Sequence, residues 1–572
     1  MCGIAGVLGS SGAAPNAVRE MLSCLQDRGP DATAVKPIGD GAIGHSRLSI
    51  VDLRAVSNQP FESADGRYSL VFNGEIYNYR ELRRELQGSY GFRTASDTEV
   101  LLAAYIHWGP AALERLQGMF AFAIWDEREQ SLFAARDRFG VKPFFYSEYG
   151  GLFSFASEIK ALWAAGVPRE ANERTWAAYL SQGMYRVGGE AFWRHVLELP
   201  AGCLLRVRDG RVSTERWYSL EERVQGLIET TCALSDEEIL DQTEALLLES
   251  VRLRLHADVP VSINLSGGMD SSLLLALTLR DGAEHVTAYS FYTGDERYDE
   301  LPWVEQMLER TGIPLTTVLL SAEDVPALAA TVALKQDEPF GGIPTLAYAD
   351  LFQAARSDGR LVLLDGQGLD ESWAGYDYYQ SPSRAPIVQG TTSSAVRPDC
   401  LSPELLALAP ERSVPKPFDD ALRNVQWRDL MATKLPRALR FNDRVSMAAS
   451  TELREPFLHH QLVELGLAAR ADHKIRDGVS KWTPRTIASR LLPESVALAP
   501  KRPVQTPQRE WFRGELRHWA SDRVDRLFES SVAGWFDEAK TRGELQRYFD
   551  QGGDNSFYIW QWINTALLFD GI

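Results

Sequence analysis

The 572-residue chain is predicted to fold as two unlike domains: an α+β domain of short strands, then an α/β domain on a doubly wound parallel sheet with a helical carboxyl-terminal part. Three observations carry this. Residues 1–205 hold many short alternating or aromatic-rich runs and few helical ones. From residue 236 onward strand and helix patterns alternate at the spacing of a parallel sheet. Two glycine-rich loops follow buried strands in that second region.

In the first region the candidate strands are Ala42–Val51, Tyr68–Asn73, Phe120–Trp125, Leu132–Ala135 and Leu152–Ala156. The charged amphipathic run Asn78–Leu86 predicts a helix. Asp97–Trp108 predicts another, because Ser96 precedes it, Glu99 completes a capping box, and Gly109-Pro110 ends it. The polar, turn-rich stretch from Arg206 to Ser235 reads as a connection, giving expected boundaries of 1–205, 206–235 and 236–572. Ser235 with Glu238 forms a second capping box opening a helix to about Leu255. Strand Val259–Leu265, helix Ser271–Arg280, strand His285–Tyr292, helix Leu301–Thr311 and strand Leu361–Leu364 follow. Ser381–Pro417 is rich in Pro and Ser and reads as an irregular excursion, and the remainder reads as mainly helical.

Composition narrows the function. The net charge of −18 argues against duplex nucleic acid or an anionic membrane surface as a partner. The five cysteines are scattered with no CxxC pair, which excludes a disulfide scaffold and a zinc ribbon. No apolar run approaches the roughly 20 residues of a membrane span. The first residues imitate a signal peptide only weakly, lacking a basic segment and a sustained apolar one, so a cytoplasmic protein is expected.

The sharpest motif is Leu265-Ser266-Gly267-Gly268-Met269-Asp270-Ser271-Ser272, between a buried strand and a helix. Two glycines let the backbone approach a ligand closely, and a helix N-terminus offers free N–H groups and partial positive charge. Three serine hydroxyls add donors, and Asp270 can hold Mg²⁺. The loop is an anion cradle without the Lys of a Walker A motif. It resembles the SGGxDS loop of the ATP pyrophosphatases, which grips the pyrophosphate half of ATP while a carboxylate is adenylated.

Cys2 is the second signal. Removal of Met1 would leave a thiol beside its own α-amine, whose pKa of about 7.7–8.0 lets it take the thiol proton near neutral pH. Read alone, a cysteine here is also simply a small buried hydrophobe. Other blocks join it: Arg28-Gly29-Pro30-Asp31, Gly44-His45-Ser46-Arg47-Leu48, Phe72-Asn73-Gly74-Glu75-Ile76-Tyr77-Asn78 and Ser96-Asp97-Thr98-Glu99. With Cys2-Gly3-Ile4-Ala5-Gly6 they resemble the glutaminase domain of class II glutamine amidotransferases. Together with the SGGMDSS loop, the whole chain resembles the glutamine-hydrolysing asparagine synthetases.

The resemblance implies an N-terminal-nucleophile sandwich followed by an ATP-pyrophosphatase domain. It implies Cys2 as nucleophile, Asn73 and Gly74 as the oxyanion hole, and Arg47 on the glutamine carboxylate. Glu75 and Asp97 fall at the substrate ammonium, and Ile50 and Val51 in the same pocket. A helix first turn favours a carboxylate on its own, so Asp97 also has a purely structural reading. In the second domain, Asp365-Gly366-Gln367-Gly368-Leu369-Asp370-Glu371 resembles the family's second ATP loop. The ATP site implied is Leu265, Ser266, Gly267, Gly268, Asp270, Ser271, Ser272, Thr293, Asp365 and Gly366. Asp270 and Asp370 would share Mg²⁺, and Lys481 would meet charge developing on phosphate. The charged blocks Arg440–Ala448 and Glu452–His459 match a helical block of the family in form, and serve equally well as structural ion pairs.

Three departures stand out. Asp365 replaces a usual Ser, Gln367 a usual Glu, and His459 a usual Asp. With Gln367 unable to accept a proton, either ammonia must arrive neutral or another carboxylate, such as Glu371, must serve. The expected reaction is ATP- and Mg²⁺-dependent: glutamine hydrolysis at Cys2, adenylation of aspartate, and displacement of AMP by ammonia. A specialised carboxylate acceptor is the alternative. A silent glutamine-binding regulator is disfavoured by the complete ATP loop. The resemblance also implies a homodimer with small-molecule substrates and no nucleic-acid or membrane partner.

Overall fold

Strand Gly3–Leu8 lies inside a six-stranded antiparallel sheet in the order Leu197–Glu198, Phe145–Ser147, Phe153–Ala156, Gly3–Leu8, Gly41–Arg47, Ala32–Ile38. The computed structural model describes residues 1–10, 12–282, 286–384, 395–499 and 506–570. All six residues of Gly3–Leu8 are buried, because Ile4 faces a second sheet while Ala5 and Val7 face helix Ala14–Ser23. A strand covered on both faces shows no alternation, so its sequence gave no strand pattern. The second sheet is also six-stranded and antiparallel, in the order Arg211–Arg216, Cys203–Arg208, Ser131–Arg136, Gly118–Asp126, Tyr68–Ile76, Phe61–Glu62. Ile4, Ile43 and Phe155 of one sheet meet Val71, Ala121, Ala123 and Leu205 of the other. Helices Tyr79–Leu86 and Asp97–Trp108 cover the second sheet's outer face through Leu82, Val100 and Leu101. The result is the expected α+β sandwich.

Two details differ from expectation. The stretch expected as a connection from residue 206 begins as a β-hairpin: Cys203–Arg208 pairs with both Ser131–Arg136 and Arg211–Arg216. Its polarity is that of an edge strand with charged residues on its open face. Helix Leu220–Cys232 then leads to Asp236–Arg254. The Ser235/Glu238 capping box is present. At Ser96 it is not. Ser96 Oγ accepts the Thr98 N–H at 3.0 Å, but Glu99 turns away and takes the N–H groups of Arg93 and Thr94 at 3.0 and 2.7 Å.

The second domain carries a five-stranded parallel sheet in the order Leu315–Leu319, Ala288–Tyr292, Val261–Asn264, Val362–Leu364, Glu452–Arg454. Its first strand is central, so the chain winds outward to one side and then to the other. Such a sheet has its ligand crevice at the carboxyl ends of the two strands flanking the reversal. Those ends carry the Ser266–Ser272 and Asp365–Glu371 loops. Both outer strands went unseen in the sequence. Glu452–Arg454 had been assigned to a helical block, yet it closes the sheet, its charges buried against other charges. His285 and residues 385–394 lie outside the described residues.

One hydrophobic core runs through both domains. Trp176 and Trp193 of the first domain stack near Phe569 of helix Phe557–Phe569, with ring centroids 5.2 and 5.5 Å apart. Trp560 of the same helix meets Phe340 at 5.6 Å.

Candidate functional site

Cys2 lies at the start of strand Gly3–Leu8 and is 8 % exposed. Its N–H donates to Asn73 Oδ1 at 3.1 Å, and its thiol lies 3.9 Å from the Leu48 carbonyl. Because Asn73 Oδ1 is engaged, its Nδ2 is fixed as a buried donor, and no protein group accepts from it. Burial pushes the Cys2 thiol above its ordinary pKa, while the Met1 amine and the Leu48 contact pull the other way. Gly74 follows at φ +156°, where a Cβ would overlap the Met119 carbonyl.

Arg47 ends strand Gly41–Arg47 and is 5 % exposed. Its guanidinium is held by the carbonyls of Val51, Asp52 and Arg54 and by Asn58 Oδ1 at 2.5–3.4 Å. A cation held by neutral acceptors keeps its charge available for an anion. Asp97 Oδ2 accepts the Ile76 N–H at 2.9 Å, and burial raises its carboxyl to about 6. Glu75, also raised by burial, faces Arg454 at 3.6 Å. Met1 packs in one apolar cluster with Ile50 and Val51, and its amine meets Glu452 at 3.2 Å. The edge strand Glu452–Arg454 of the second domain thus walls the nucleophile's surroundings.

The second cluster forms at the sheet's reversal point. One cleft is lined by Ser266, Gly267, Gly268, Asp270 and Ser271 from the first loop and by Asp365, Gly366, Gln367, Asp370 and Glu371 from the second, with Lys481. Gly267 takes φ +73°, a left-handed turn in which a Cβ would also press on the Glu300 carbonyl. Ser271 Oγ ties the loop to Ser266 at 3.2 Å, and the loop opens helix Met269–Arg280. Lys481, itself left-handed at φ +55°, places its ammonium 2.6 Å from Asp270 and 2.7 Å from Asp370. Leu265 is buried and lines a small adjoining hollow with Phe291 and Tyr298. Ser272 is buried within the helix's first turn. Thr293 makes local contacts. Its N–H and hydroxyl both bond Asp299, at 2.6 and 2.9 Å, so a local turn uses its polar atoms.

Asp365 is 6 % exposed. Its Oδ1 accepts the Gly366 N–H at 2.6 Å, and the side-chain amides of Asn264 and Gln367 also donate to the carboxyl. Burial lifts this carboxyl to about 6 and Glu371 to about 7. Tyr376 donates to Glu371 Oε1 at 2.7 Å. His459, buried, is pushed down to about 3 and is therefore neutral.

Asp270 and Asp370 converge on one cation, the Lys481 ammonium, so their side chains can meet a shared positive charge. Two carboxylates suit Mg²⁺ that arrives with ATP, which keeps several waters and phosphate oxygens. Among the described residues there is no group of three His, Cys, Asp or Glu that would cage a metal without a nucleotide.

The charged block residues prove to be ion pairs: Arg440 with Glu338 at 2.9 Å, Asp443 with Arg28 at 2.9 Å, Arg444 with Glu158 at 3.3 Å, and Arg454 with Glu452 at 2.6 Å. Sequence reasoning gave no role to Arg28, whose Nε also donates to the Cys2 carbonyl at 3.1 Å. It also missed Asn264, Trp303, Tyr348 and Arg485 in the cleft wall. No local pattern marks them.

Residues 1–218 match the family model for a glutamine amidotransferase domain, and residues 242–570 match that for asparagine synthase. A Mycobacterium bovis protein with the provisional name of a glutamine-hydrolysing asparagine synthetase is 32 % identical, covering 100 % of this chain and 96 % of that one. The glutamine-hydrolysing asparagine synthetase 1 of Bacillus subtilis is 27 % identical over the same shares. Among solved structures, glutamine phosphoribosylpyrophosphate amidotransferase from B. subtilis aligns at 20 % identity and a TM-score of 0.30, covering 55 % of this chain and 65 % of that one.

Proposed function

This chain belongs to the asparagine synthase family, with a glutamine amidotransferase domain at its amino end, and on that premise we propose that it makes asparagine from aspartate, glutamine and ATP. The observation that carries the first half is the buried, unaccepted Nδ2 of Asn73, fixed by its bond to Cys2. Once Met1 is removed, the Cys2 amine takes the thiol proton and sulfur attacks the glutamine carboxamide. Asn73 Nδ2 and the Gly74 N–H meet the oxyanion. Ammonia leaves, and water cleaves the thioester to glutamate. Arg47 holds the substrate carboxylate, and Asp97 and Glu75 its ammonium. Removal of Met1 also clears the apolar space beside Ile50 and Val51 for the glutamine side chain.

In the second half, the acceptor carboxylate attacks the α-phosphorus of ATP. Pyrophosphate departs against the Ser266–Ser272 loop and the N-terminus of helix Met269–Arg280, with Lys481 beside it. Asp270 and Asp370 would hold Mg²⁺, which neutralises charge on the triphosphate. Ammonia then attacks the acyl carbon, the bond to AMP breaks, and one ammonia proton passes to a carboxylate. We assign that proton to Asp365, whose carboxyl burial lifts to about 6, in the range a general base needs, whereas Glu371 is held by the Tyr376 hydroxyl. The reading divides the chain into a glutaminase domain and a synthetase domain, and expects a homodimer in the cytoplasm with no nucleic-acid partner. No helix among the described residues is long and apolar enough to cross a membrane.

The test is AMP formation against a panel of carboxylates, with ammonium supplied. Aspartate should give the highest kcat/KM, and asparagine should be the product. A larger value for another carboxylate would replace aspartate as the acceptor. No AMP from any carboxylate would overturn the second half-reaction.

A further inference from the structure

A second cavity of about 300 Å³ lies between the two domains and shares no lining residue with the cleft at the sheet's reversal point, which it adjoins through Lys434 and Tyr376. Its first-domain wall includes Arg136, Tyr185, Arg186 and Glu198. Its second-domain wall includes Arg412, Lys434, Arg437 and Arg440. Glu198 pairs with Arg136 at 2.9 Å and with Arg186, and Arg440 pairs with Glu338 at 2.9 Å. Arg412, Lys434 and Arg437 remain. None of the three makes an ion pair with a carboxylate among the described residues. Lys434 lies 3.7 Å from the Tyr376 ring centroid, and Arg437 lies 5.7 Å from that of Tyr185.

Two of these cations stand in the wrong place for a helix. Lys434 and Arg437 occupy the first turn of helix Lys434–Ala448, and that turn contains no acidic residue. The helix dipole is positive there and favours carboxylates, so two cations raise an already positive potential. The N-cap residue Thr433 does not cap. Its hydroxyl donates instead to Asp429 Oδ1 at 2.8 Å, behind the cavity wall. Burial pushes the Lys434 ammonium down to about 8 against the attraction of Asp429, Glu371 and Asp370, with Arg437 adding repulsion. Tyr185, 8 % exposed, stands in the same wall with its hydroxyl hydrogen-bonded to that of Tyr179. A site that breaks local charge rules in several ways at once is expected to be completed by a ligand.

We propose that this interdomain cavity binds a small organic polyanion, a di- or tricarboxylate or a phosphate ester, through Lys434, Arg437 and Arg412 at the N-terminus of helix Lys434–Ala448. Phe139, Met184, Val414 and Pro436 line the rest of the wall and fit the ligand's carbon skeleton. The site goes beyond the proposed reaction, because neither glutamine hydrolysis nor adenylation places a group there. Since both domains supply its wall, the ligand would touch the glutaminase and synthetase halves together.

The test is titration calorimetry of the full-length protein with citrate and, separately, with inorganic phosphate, at two salt concentrations and with or without saturating ATP. Saturable binding of either probe that persists with ATP and weakens with salt is expected. Citrate alone would assign the carboxylate class, and phosphate the phosphate-ester class. Lys434→Gln and Arg437→Gln should each weaken binding by about tenfold to a hundredfold, as loss of one charge-assisted hydrogen bond predicts. Arg412→Gln, on the exposed loop, should weaken it similarly without touching the helix. Absence of saturable binding by both probes, displacement by ATP, or wild-type affinity in all three variants would overturn the proposal.

Discussion

Asp97 is a carboxylate that the fold holds against its own preference. Its folded pKa of about 6 lies above the ordinary value of 3.8, so the folded state binds its proton more tightly than the unfolded chain does. That contribution is fully present below pH 4 and is lost as pH rises through 6. Above pH 6 the ionised group costs the fold about 2–3 kcal/mol, at 1.36 kcal/mol per pKa unit. Asp97→Asn should therefore raise stability to urea at pH 7.5, show no gain below pH 4, and raise KM for glutamine. A less stable variant at pH 7.5 would contradict this. Asp365 poses a sharper question, because a carboxylate buried among neutral donors, with no cation paired to it among the described residues, is costly to ionise unless the reaction uses it. Enzyme preloaded with acyl-adenylate and chased with ammonium should form amide about 10²–10⁴-fold more slowly in Asp365→Asn, the range for loss of a general base. The rise of rate near pH 6, normalised to free ammonia, should vanish in that variant and persist in Glu371→Gln. The opposite pattern would move the role to Glu371.

At the scale of elements, the two cleft loops are held by close packing of backbone. Gly375 follows the short helix Leu369–Ser372, and its N–H donates to the Asp370 carbonyl at 2.7 Å. A Cβ at position 375 would overlap Asp370 Oδ1. Gly375→Ala should thus displace Asp370 from the cation it shares with Asp270. ATP–pyrophosphate exchange should fall at least about a hundredfold, as expected when a charge-stabilising group is lost. Glutamine hydrolysis, in the other domain, should stay within about twofold. Equal loss of both would mean that the substitution unfolds more than this loop.

The whole molecule joins two chemistries through a buried charge network. Arg28, 1 % exposed, bonds the Cys2 carbonyl, Glu158 at 2.8 Å, and Asp443 of the second domain at 2.9 Å. Arg28→Met would leave Asp443 with only Lys142 at 3.8 Å, while Glu158 keeps Lys160 and Arg444, and removing one partner of a buried pair in this way typically costs about 3–5 kcal/mol. A lower melting temperature should be accompanied by a larger loss of glutamine-dependent than of ammonium-dependent synthesis. Equal losses would show that the network supports stability only. Cys2→Ala separates the halves from the other side. It should abolish glutaminase activity while added ammonium still supports amide formation. Residual glutamine-dependent synthesis would remove Cys2 as nucleophile, and failure with ammonium would show that the sites are not separable.

Local patterns were legible wherever a few neighbouring residues suffice. The SGGMDSS turn, the Ser235 capping box and helix Leu301–Thr311 could each be read from adjacent side chains, because backbone conformation and helix capping are short-range. So could the order of strand and helix around the two cleft loops, which fixes where a parallel sheet reverses. What tertiary structure decided lies across long separations. Strand Gly3–Leu8 was hidden because it is buried on both faces, and Glu452–Arg454 because its charges are neutralised by Met1 and Glu75 from the other domain. Ser96 kept its cap, but Glu99 found nearer donors in Arg93 and Thr94. The bonds from Thr293 to Asp299 are local but carry no motif that a sequence shows. The interdomain cavity had no signature at all, since Arg412 and Lys434 come from a segment that reads as loop and helix surface. A sequence records which charges a chain carries. Only folding determines which of them are paired, because the partner is chosen by distance in space.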